Sequence, residues 1–341
     1  MLVARSKPVP FQLKFLLREI GLEEKPDRAF HPSYCFTNRY IKGSDPLMGA
    51  SFREPNMAIA FLNGDWMQPH EAKVSVFDRG FMFGDGVYEV MPVYGGRVFT
   101  LTEHVTRLQR SLSEIRLTTT YTDESWAQLI NDAVSRAGEP EALVYLQVTR
   151  GVAEERSHVY PDAPPTVLIT VTPAAARAHA PKPLNVVTKT DFRWHRADIK
   201  VTSLIANGLI KNGALAEGFD DAILVRGDEV TEGTASNVFI VTSGVIKTPP
   251  KSNHLLHGIT RDLVVALAGE AGLPVEECRL GERDVLSADE VWLTSTGLEV
   301  YPVGAVNGQS VGNGEAGVVW AKMDQIFQAK KTAFRAAVEE A

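Results

Sequence analysis

At 341 residues the chain is long enough for two domains or one large one, and its 44% hydrophobic and 23% charged content is that of a soluble globular protein. A net charge of −7 argues against a nucleic-acid partner, and no apolar run reaches membrane-spanning length. The two cysteines, Cys35 and Cys278, have neither metal nor redox spacing, and no histidines, His254 and His257 included, fall in a zinc-ligand pattern, which fits a reducing, cytoplasmic compartment.

Residues 1–56 read as an N-terminal extension outside the native core. They hold one amphipathic stretch, Phe11 to Leu22, followed by a segment broken by Pro26, Pro32, Pro46 and Pro55. Glu19, Glu23, Glu24 and Asp27 argue against a transit peptide, and a secretory signal would need a longer apolar region. The folded part is expected to start at Met57. A strand at Ile59 to Leu62 turns through Asn63-Gly64 toward Trp66, a hairpin signal, and a second hairpin follows around Gly95-Gly96. Helices are expected near 102–116 and 124–137 and strands at 143–150 and 166–172, completing a small α+β domain over 57–172. Thr100-Leu101-Thr102-Glu103 reads as a capping box for the first of these helices. The alanine- and proline-rich run 173–183 reads as an interdomain linker. A large domain over 184–341 then opens with a strand at 185–190 and a helix at about 204–217. Strands follow at 221–226, 229–231, 236–242 and 245–248, then a helix from 260 and a last one after Glu315.

The residues that carry chemistry fall mostly in the second half. Lys200 sits in Asp198-Ile199-Lys200-Val201-Thr202-Ser203, and Glu232 follows at the mouth of a hairpin, in Glu232-Gly233-Thr234-Ala235-Ser236-Asn237. A lysine amine able to form a Schiff base and a carboxylate able to hold a proton on a pyridine nitrogen are what a pyridoxal-phosphate enzyme needs. Either piece alone is equally a surface lysine or a hairpin residue. Gly258-Ile259-Thr260 precedes a run with helical spacing, so it marks a helix start. Free N–H groups there suit a phosphate, although an ordinary helix begins the same way. Ser295-Thr296-Gly297 could add donors to that phosphate or form a simple turn. The glycines at 80, 84 and 86 allow tight turns that could place Tyr88, which by itself is also a half-buried strand tyrosine.

Taken in order, Asp78 to Glu89, Glu103 to Leu108, Asp191 to Trp194 with the Lys200 stretch, and the Glu232 stretch resemble the fold-type IV pyridoxal-phosphate aminotransferases, the D-amino acid aminotransferases most closely. Gly258 to Arg261 and Thr294 to Thr296 complete the set. The resemblance runs from about Met57 to about Phe327. It implies a two-domain α+β fold with pyridoxal 5'-phosphate between the domains, and a homodimer with active sites at the subunit interface. It makes Lys200 the catalytic and cofactor-bearing residue and Glu232 the ring-nitrogen partner. Arg107, which lies on the strong helical pattern of Leu101, Val105, Leu108, Leu112 and Ile115, becomes the phosphate-binding arginine. Leu256 packs on the pyridine face, and Ile259, Thr260, Ser295 and Thr296 complete the cofactor site. Arg156 and His158 become an Arg-x-His pair that reaches across the dimer to hold the substrate carboxylate together with Tyr88. The implied reaction moves the amino group of a D-amino acid such as D-alanine to a 2-oxo acid such as 2-oxoglutarate, giving pyruvate and D-glutamate. The alternatives are a branched-chain L-amino acid transaminase or an aminodeoxychorismate lyase. No metal is implied. Ala235 and Gly297 stand where relatives usually have serine and threonine, which leaves cofactor affinity open.

Overall fold

The computed structural model describes residues 59–174 and 181–336. The expected extension over 1–56, the start at Met57 and the middle of the expected linker lie outside the described residues.

Two sheets carry the described chain. The first is six-stranded and antiparallel, formed by β1 (Ile59–Leu62), β2 (Asp65–Met67), β3 (Gly86–Tyr94), β4 (Arg97–Val98), β5 (Glu141–Thr149) and β6 (Thr166–Pro173), in the order β2-β1-β6-β5-β3-β4. Its first turn is the expected Asn-Gly hairpin: Asn63 and Gly64 both take positive φ, 51° and 108°, and the Asn63 side chain accepts from the Val167 amide. Along β5 the period-two pattern sends Ala142, Val144, Leu146 and Val148 to one face. There they pack with Leu108 and Leu112 of α2 (Leu101–Glu114) and with Trp126 and Ile130 of α3 (Asp123–Ala137). A short helix, α1 (Arg79–Phe83), precedes β3 and is capped by Asp78, whose Oδ1 accepts from the Gly80 amide at 2.8 Å.

The capping box expected at Thr100 does not form. Thr100 adopts a left-handed conformation, φ 55°, and its hydroxyl donates to the Phe99 carbonyl at 2.7 Å instead of reaching into the helix.

The second sheet is mixed. It comprises β7 (Leu184–Thr190), β8 (Asp221–Arg226), β9 (Glu229–Gly233), β10 (Asn237–Thr242), β11 (Val245–Thr248), β12 (Val275–Glu277), β13 (Glu290–Ser295) and β14 (Glu299–Val306). The order is β12-β11-β10-β13-β14-β7-β8-β9, with β15 (Gln309–Ser310) beside β14. Both faces of its centre are covered. Val238 and Ile240 of β10 pack with Leu184, Ile223 and Leu293, whereas Phe239 and Val241 meet α5 (Ile259–Glu270) and α7 (Val318–Ala336) through Val264, Trp320 and Met323. The helix α4 (Ile205–Ala216) covers β8 through Ile210 and Ala214, and the short α6 (Glu282–Leu286) precedes β13.

The hairpin β13–β14 has no counterpart among the expected elements. Glu290-Val291-Trp292-Leu293-Thr294 is buried along its whole length. The helix α7 straps this hairpin at both ends. Glu290 accepts from the Val319 and Trp320 amides at 2.8 Å, and Glu299, held at φ 58°, pairs with buried Lys331 and accepts from the Tyr94 hydroxyl at 2.9 Å. Because Tyr94 ends β3, the same contact ties the second sheet to the first.

Candidate active site

Lys200 is placed by its neighbours. Ile199 and Val201 are buried in the core of the first sheet, Val201 bridges Val87, and the Lys200 carbonyl accepts from the Tyr88 amide at 3.0 Å. The segment therefore lies against β3 through a single bridge, which holds the Lys200 backbone beside Tyr88. Its ammonium lies 4.2 Å from the centre of the Tyr88 ring. Burial first, and then the charge of Arg107, bring its pKa down from 10.5 to about 8, against the opposing pull of Glu89 and Glu232. A lysine so placed can shed its proton near neutral pH, which a surface lysine cannot.

Glu232, at the end of β9, is buried and surrounded by donors. It accepts from the Leu256 amide at 2.9 Å and the Asn237 amide at 3.3 Å, and it is in direct contact with Arg193 Nη1. Burial pushes the carboxyl up, and Arg193 opposes it. All of these neighbours donate and one of them is a guanidinium, so the set favours the carboxylate against the burial that raises its pKa. Arg193 is in turn fixed by Asp191, which accepts from its Nε at 3.0 Å and Nη2 at 2.9 Å.

Arg107 is buried on α2. It forks onto Glu89, Nε to Oε1 at 2.8 Å and Nη2 to Oε2 at 2.7 Å, and its Nη1 donates to the His257 carbonyl at 3.0 Å. His104 contacts the same Glu89 carboxylate at 2.8 Å. Burial works against ionised Glu89, but Arg107 and His104 outweigh it and hold the pKa at about 2, down from 4.5. A depressed carboxyl pKa contributes stability that is complete above about pH 4.5 and is lost as pH falls toward 2. Glu89→Gln is accordingly expected to flatten the acid limb of a stability-versus-pH curve between those values; an unchanged limb would assign acid unfolding to other carboxylates.

The His257 contact brings Arg107 to the start of α5, where Gly258 is the N-cap and no side chain caps the first turn. Ile259, Thr260, Thr296 and His104 meet around a cavity of about 10 Å³, room for roughly one water. The Thr296 hydroxyl donates to the Val90 carbonyl at 3.2 Å and the Ser295 hydroxyl accepts from the Leu298 amide at 3.1 Å. The Ser295 hydroxyl thus braces the β13–β14 turn, and the Thr296 hydroxyl ties that turn to β3. Leu256 joins the group through its backbone, donating to Glu232 and accepting from Asn237 at 2.9 Å.

Tyr88, Lys200, Arg107, Glu232, Leu256, Ile259, Thr260 and Thr296 are linked in this way by hydrogen bond, ring contact, shared cavity or charge. Ser295 stands beside Thr296. Arg156 and His158 sit apart on an exposed loop, where both meet the Phe83 ring, at 5.1 Å and 5.7 Å. Sequence reasoning gave no role to Glu89, His104, Asp191, Arg193 or Asn237. The Asp-x-Arg spacing of Asp191 and Arg193 was a usable local signal; the partners of Arg107 and Glu232 lie 18 and 39 residues away and had none.

The donor set fits pyridoxal 5'-phosphate. It offers an amine of lowered pKa, a donor-fed carboxylate for a ring N–H, and an uncapped helix start beside a guanidinium for an anion. Among the described residues, no cluster of metal-ligating side chains competes with this reading, and no helix is long and apolar enough to cross a membrane.

Residues 86–306 match the model of the class IV amino-transferases. The chain is 40% identical over 275 residues to a D-alanine aminotransferase of Listeria monocytogenes serotype 4b (strain F2365), covering 78% of this chain and 93% of the relative. It is 39% identical over 271 residues to the D-alanine aminotransferase of Staphylococcus aureus (strain MSSA476), covering 79% and 96%. Its fold is similar to that of a T.th. branched-chain amino acid aminotransferase solved with pyridoxamine 5'-phosphate, with a TM-score of 0.76 and 28% identity over 81% of this chain and 95% of that one. By this family match and these relatives, the chain belongs to the class IV, pyridoxal-phosphate-dependent aminotransferase family.

Proposed function

We propose that the protein is a D-amino acid aminotransferase, moving the amino group of a D-amino acid such as D-alanine to a 2-oxo acid such as 2-oxoglutarate. The observation that carries the reading is the Lys200 ammonium, held 4.2 Å from the centre of the Tyr88 ring and within the electrostatic reach of Arg107, Glu89 and Glu232. The choice of D-amino acids rests on the 40% identity to D-alanine aminotransferases, against 28% for the branched-chain enzyme whose fold is similar.

Arg107 and the start of α5, with Ile259 and Thr260, would hold the cofactor phosphate alongside the Ser295-Thr296 turn. Glu232 would face the ring nitrogen, and Leu256 would lie on the ring. When bound, the cofactor supplies an aldehyde for the amine and a ring that draws off the electrons released at the substrate Cα. Lys200 Nζ, once free and neutral, would take the substrate Cα proton and deliver it to the carbon that had been the cofactor's aldehyde, the shift that moves the amino group. Glu232 would keep a proton on the ring nitrogen, and Arg193, itself fixed by Asp191, aims the carboxylate and opposes the burial that raises its pKa. Burial raises the Tyr88 pKa to about 12, Glu89 adding to the effect, so its hydroxyl stays protonated and can donate to a substrate carboxylate.

Arg156 and His158 would complete that carboxylate site from a neighbouring subunit of a homodimer. Exposed apolar side chains at Phe81, Val159, Ile205 and Leu209 supply surface that a second copy would cover. A cytoplasmic location agrees with this substrate class. Arg156→Ala is expected to raise KM for D-alanine by an amount worth about 1.5–3 kcal/mol, while a carboxylate-free amine is little affected. Equal loss for both donors would remove the arginine from the substrate site. The reading as a whole is tested by incubating holoenzyme with D-alanine and 2-oxoglutarate and measuring pyruvate and D-glutamate; failure to form either overturns it.

A further inference from the structure

We propose that Arg79 is a positioning residue that sets the Arg156-Ser157-His158 loop and so determines how firmly the enzyme holds a substrate carboxylate. The inference rests on the reading of Arg156 and His158 as carboxylate donors, but the latch that supports it is independent of that reading. Arg79 is buried although it opens a helix only one turn long. Its Nε donates to Asp85 Oδ2 at 2.8 Å, and its Nη1 donates to the Ser157 carbonyl at 2.5 Å and points toward the Val159 carbonyl at 3.4 Å. One guanidinium therefore grips the turn at Asp85 and the loop on both sides of His158.

Arg150 completes the latch from the end of β5. Its Nε donates to the same Asp85 oxygen at 2.9 Å, and its other nitrogens donate to the Ile115 and Arg116 carbonyls at the end of α2, at 2.7 and 3.1 Å. The Tyr160 ring then lies 3.6 Å over its guanidinium. Phe83, whose ring is 4.7 Å from the Arg79 guanidinium, fills the space between Arg79 and the side chains of Arg156 and His158. The loop over 154–165 has no helix or strand of its own. Without these contacts its donors would have to be ordered each time a carboxylate bound, and that cost would appear in affinity.

The same turn also holds the lysine segment. The carbonyl of Gly84, next to Asp85, accepts from the Thr202 hydroxyl at 2.9 Å and the Ser203 hydroxyl at 2.8 Å. Asp85 thus acts on the loop of the carboxylate donors through Arg79, while the carbonyl of its neighbour Gly84 holds the segment that follows Lys200. A lysine at 79 could keep the charge on Asp85 but could not span Asp85 and the Ser157 carbonyl as a planar fork does.

The test compares holoenzyme variants Arg79→Lys, Arg79→Met, Arg156→Ala and Arg79→Met/Arg156→Ala, in half-reactions with D-alanine and with a carboxylate-free amine, (R)-1-phenylethylamine. Arg79→Met is expected to raise the D-alanine concentration for half-maximal rate by about 10-fold, to leave the limiting rate within about 3-fold, and not to move the values for the amine. Arg79→Lys should behave in the same direction. The double variant should lose no more than Arg156→Ala alone, because both act through one contact. Amide hydrogen exchange over 155–160 should accelerate at least about 10-fold in Arg79→Met. Unchanged exchange there would overturn the latch itself. Accelerated exchange with equal losses for both donors, or with additive losses in the double variant, would overturn the role in carboxylate binding. Accelerated exchange with no effect of Arg156→Ala on D-alanine would instead overturn the carboxylate reading of the loop, and the role proposed for Arg79 with it.

Discussion

Lys200→Ala is expected to abolish the visible absorbance of lysine-attached cofactor and nearly all turnover. Alanine offers no amine, so the cofactor cannot be held covalently, and the group that moves the Cα proton disappears with it. The loss of proton transfer alone is worth on the order of 10²–10⁴-fold. The fold should survive, because the segment is anchored by Ile199, Val201 and the Lys200 backbone, none of which the substitution touches. A lysine that could compete, Lys211, already donates to the Asp220 carbonyl at 2.5 Å and pairs with Asp221 at 3.4 Å. Borohydride reduction of wild type should therefore label Lys200, and the alanine variant should take up no label. Undiminished labelling in Lys200→Ala would move the attachment point to another lysine.

Glu232→Gln is expected to leave the cofactor bound and to slow the proton-transfer step. A neutral amide cannot stabilise a protonated ring nitrogen as a carboxylate does, and loss of such a preorganised interaction raises a barrier by about 2–4 kcal/mol, roughly 30- to 1000-fold in rate. Glutamine keeps nearly the same shape, and Arg193 retains its two bonds to Asp191, so the buried guanidinium is not left unpaired. Single-turnover kinetics with D-alanine separate this step from binding. A wild-type rate in Glu232→Gln would reduce the carboxylate to a structural member of the β9 hairpin.

The sequence made most of the scaffold legible, including the buried strands β8 and β10. The Asn63-Gly64 hairpin, the two helices over the first sheet and α4 all follow patterns that alternate between water and core. It was silent at β13–β14, although the equally buried β10 was expected, and it misread Thr100, whose left-handed backbone turns the hydroxyl away from the helix it precedes. At the site, Lys200 and Glu232 stood out only through the ordered set of motifs around them, since either alone reads as a surface lysine or a hairpin residue. The residues that tune them did not: Glu89 beneath Arg107 and Arg193 against Glu232 are brought together by the pairing of distant strands and helices, which no local spacing encodes. The family resemblance supplied the role proposed for Arg107 but not the carboxylate that holds it.

The most direct test of the account is a stopped-flow half-reaction of the holoenzyme with each enantiomer of alanine, and with L-leucine, followed by loss of the lysine-attached cofactor absorbance. The account predicts rapid conversion by D-alanine, with pyruvate released in equal amount, and much slower conversion by both L-amino acids. Faster conversion by L-leucine than by D-alanine would contradict it and would make the protein a branched-chain L-amino acid transaminase.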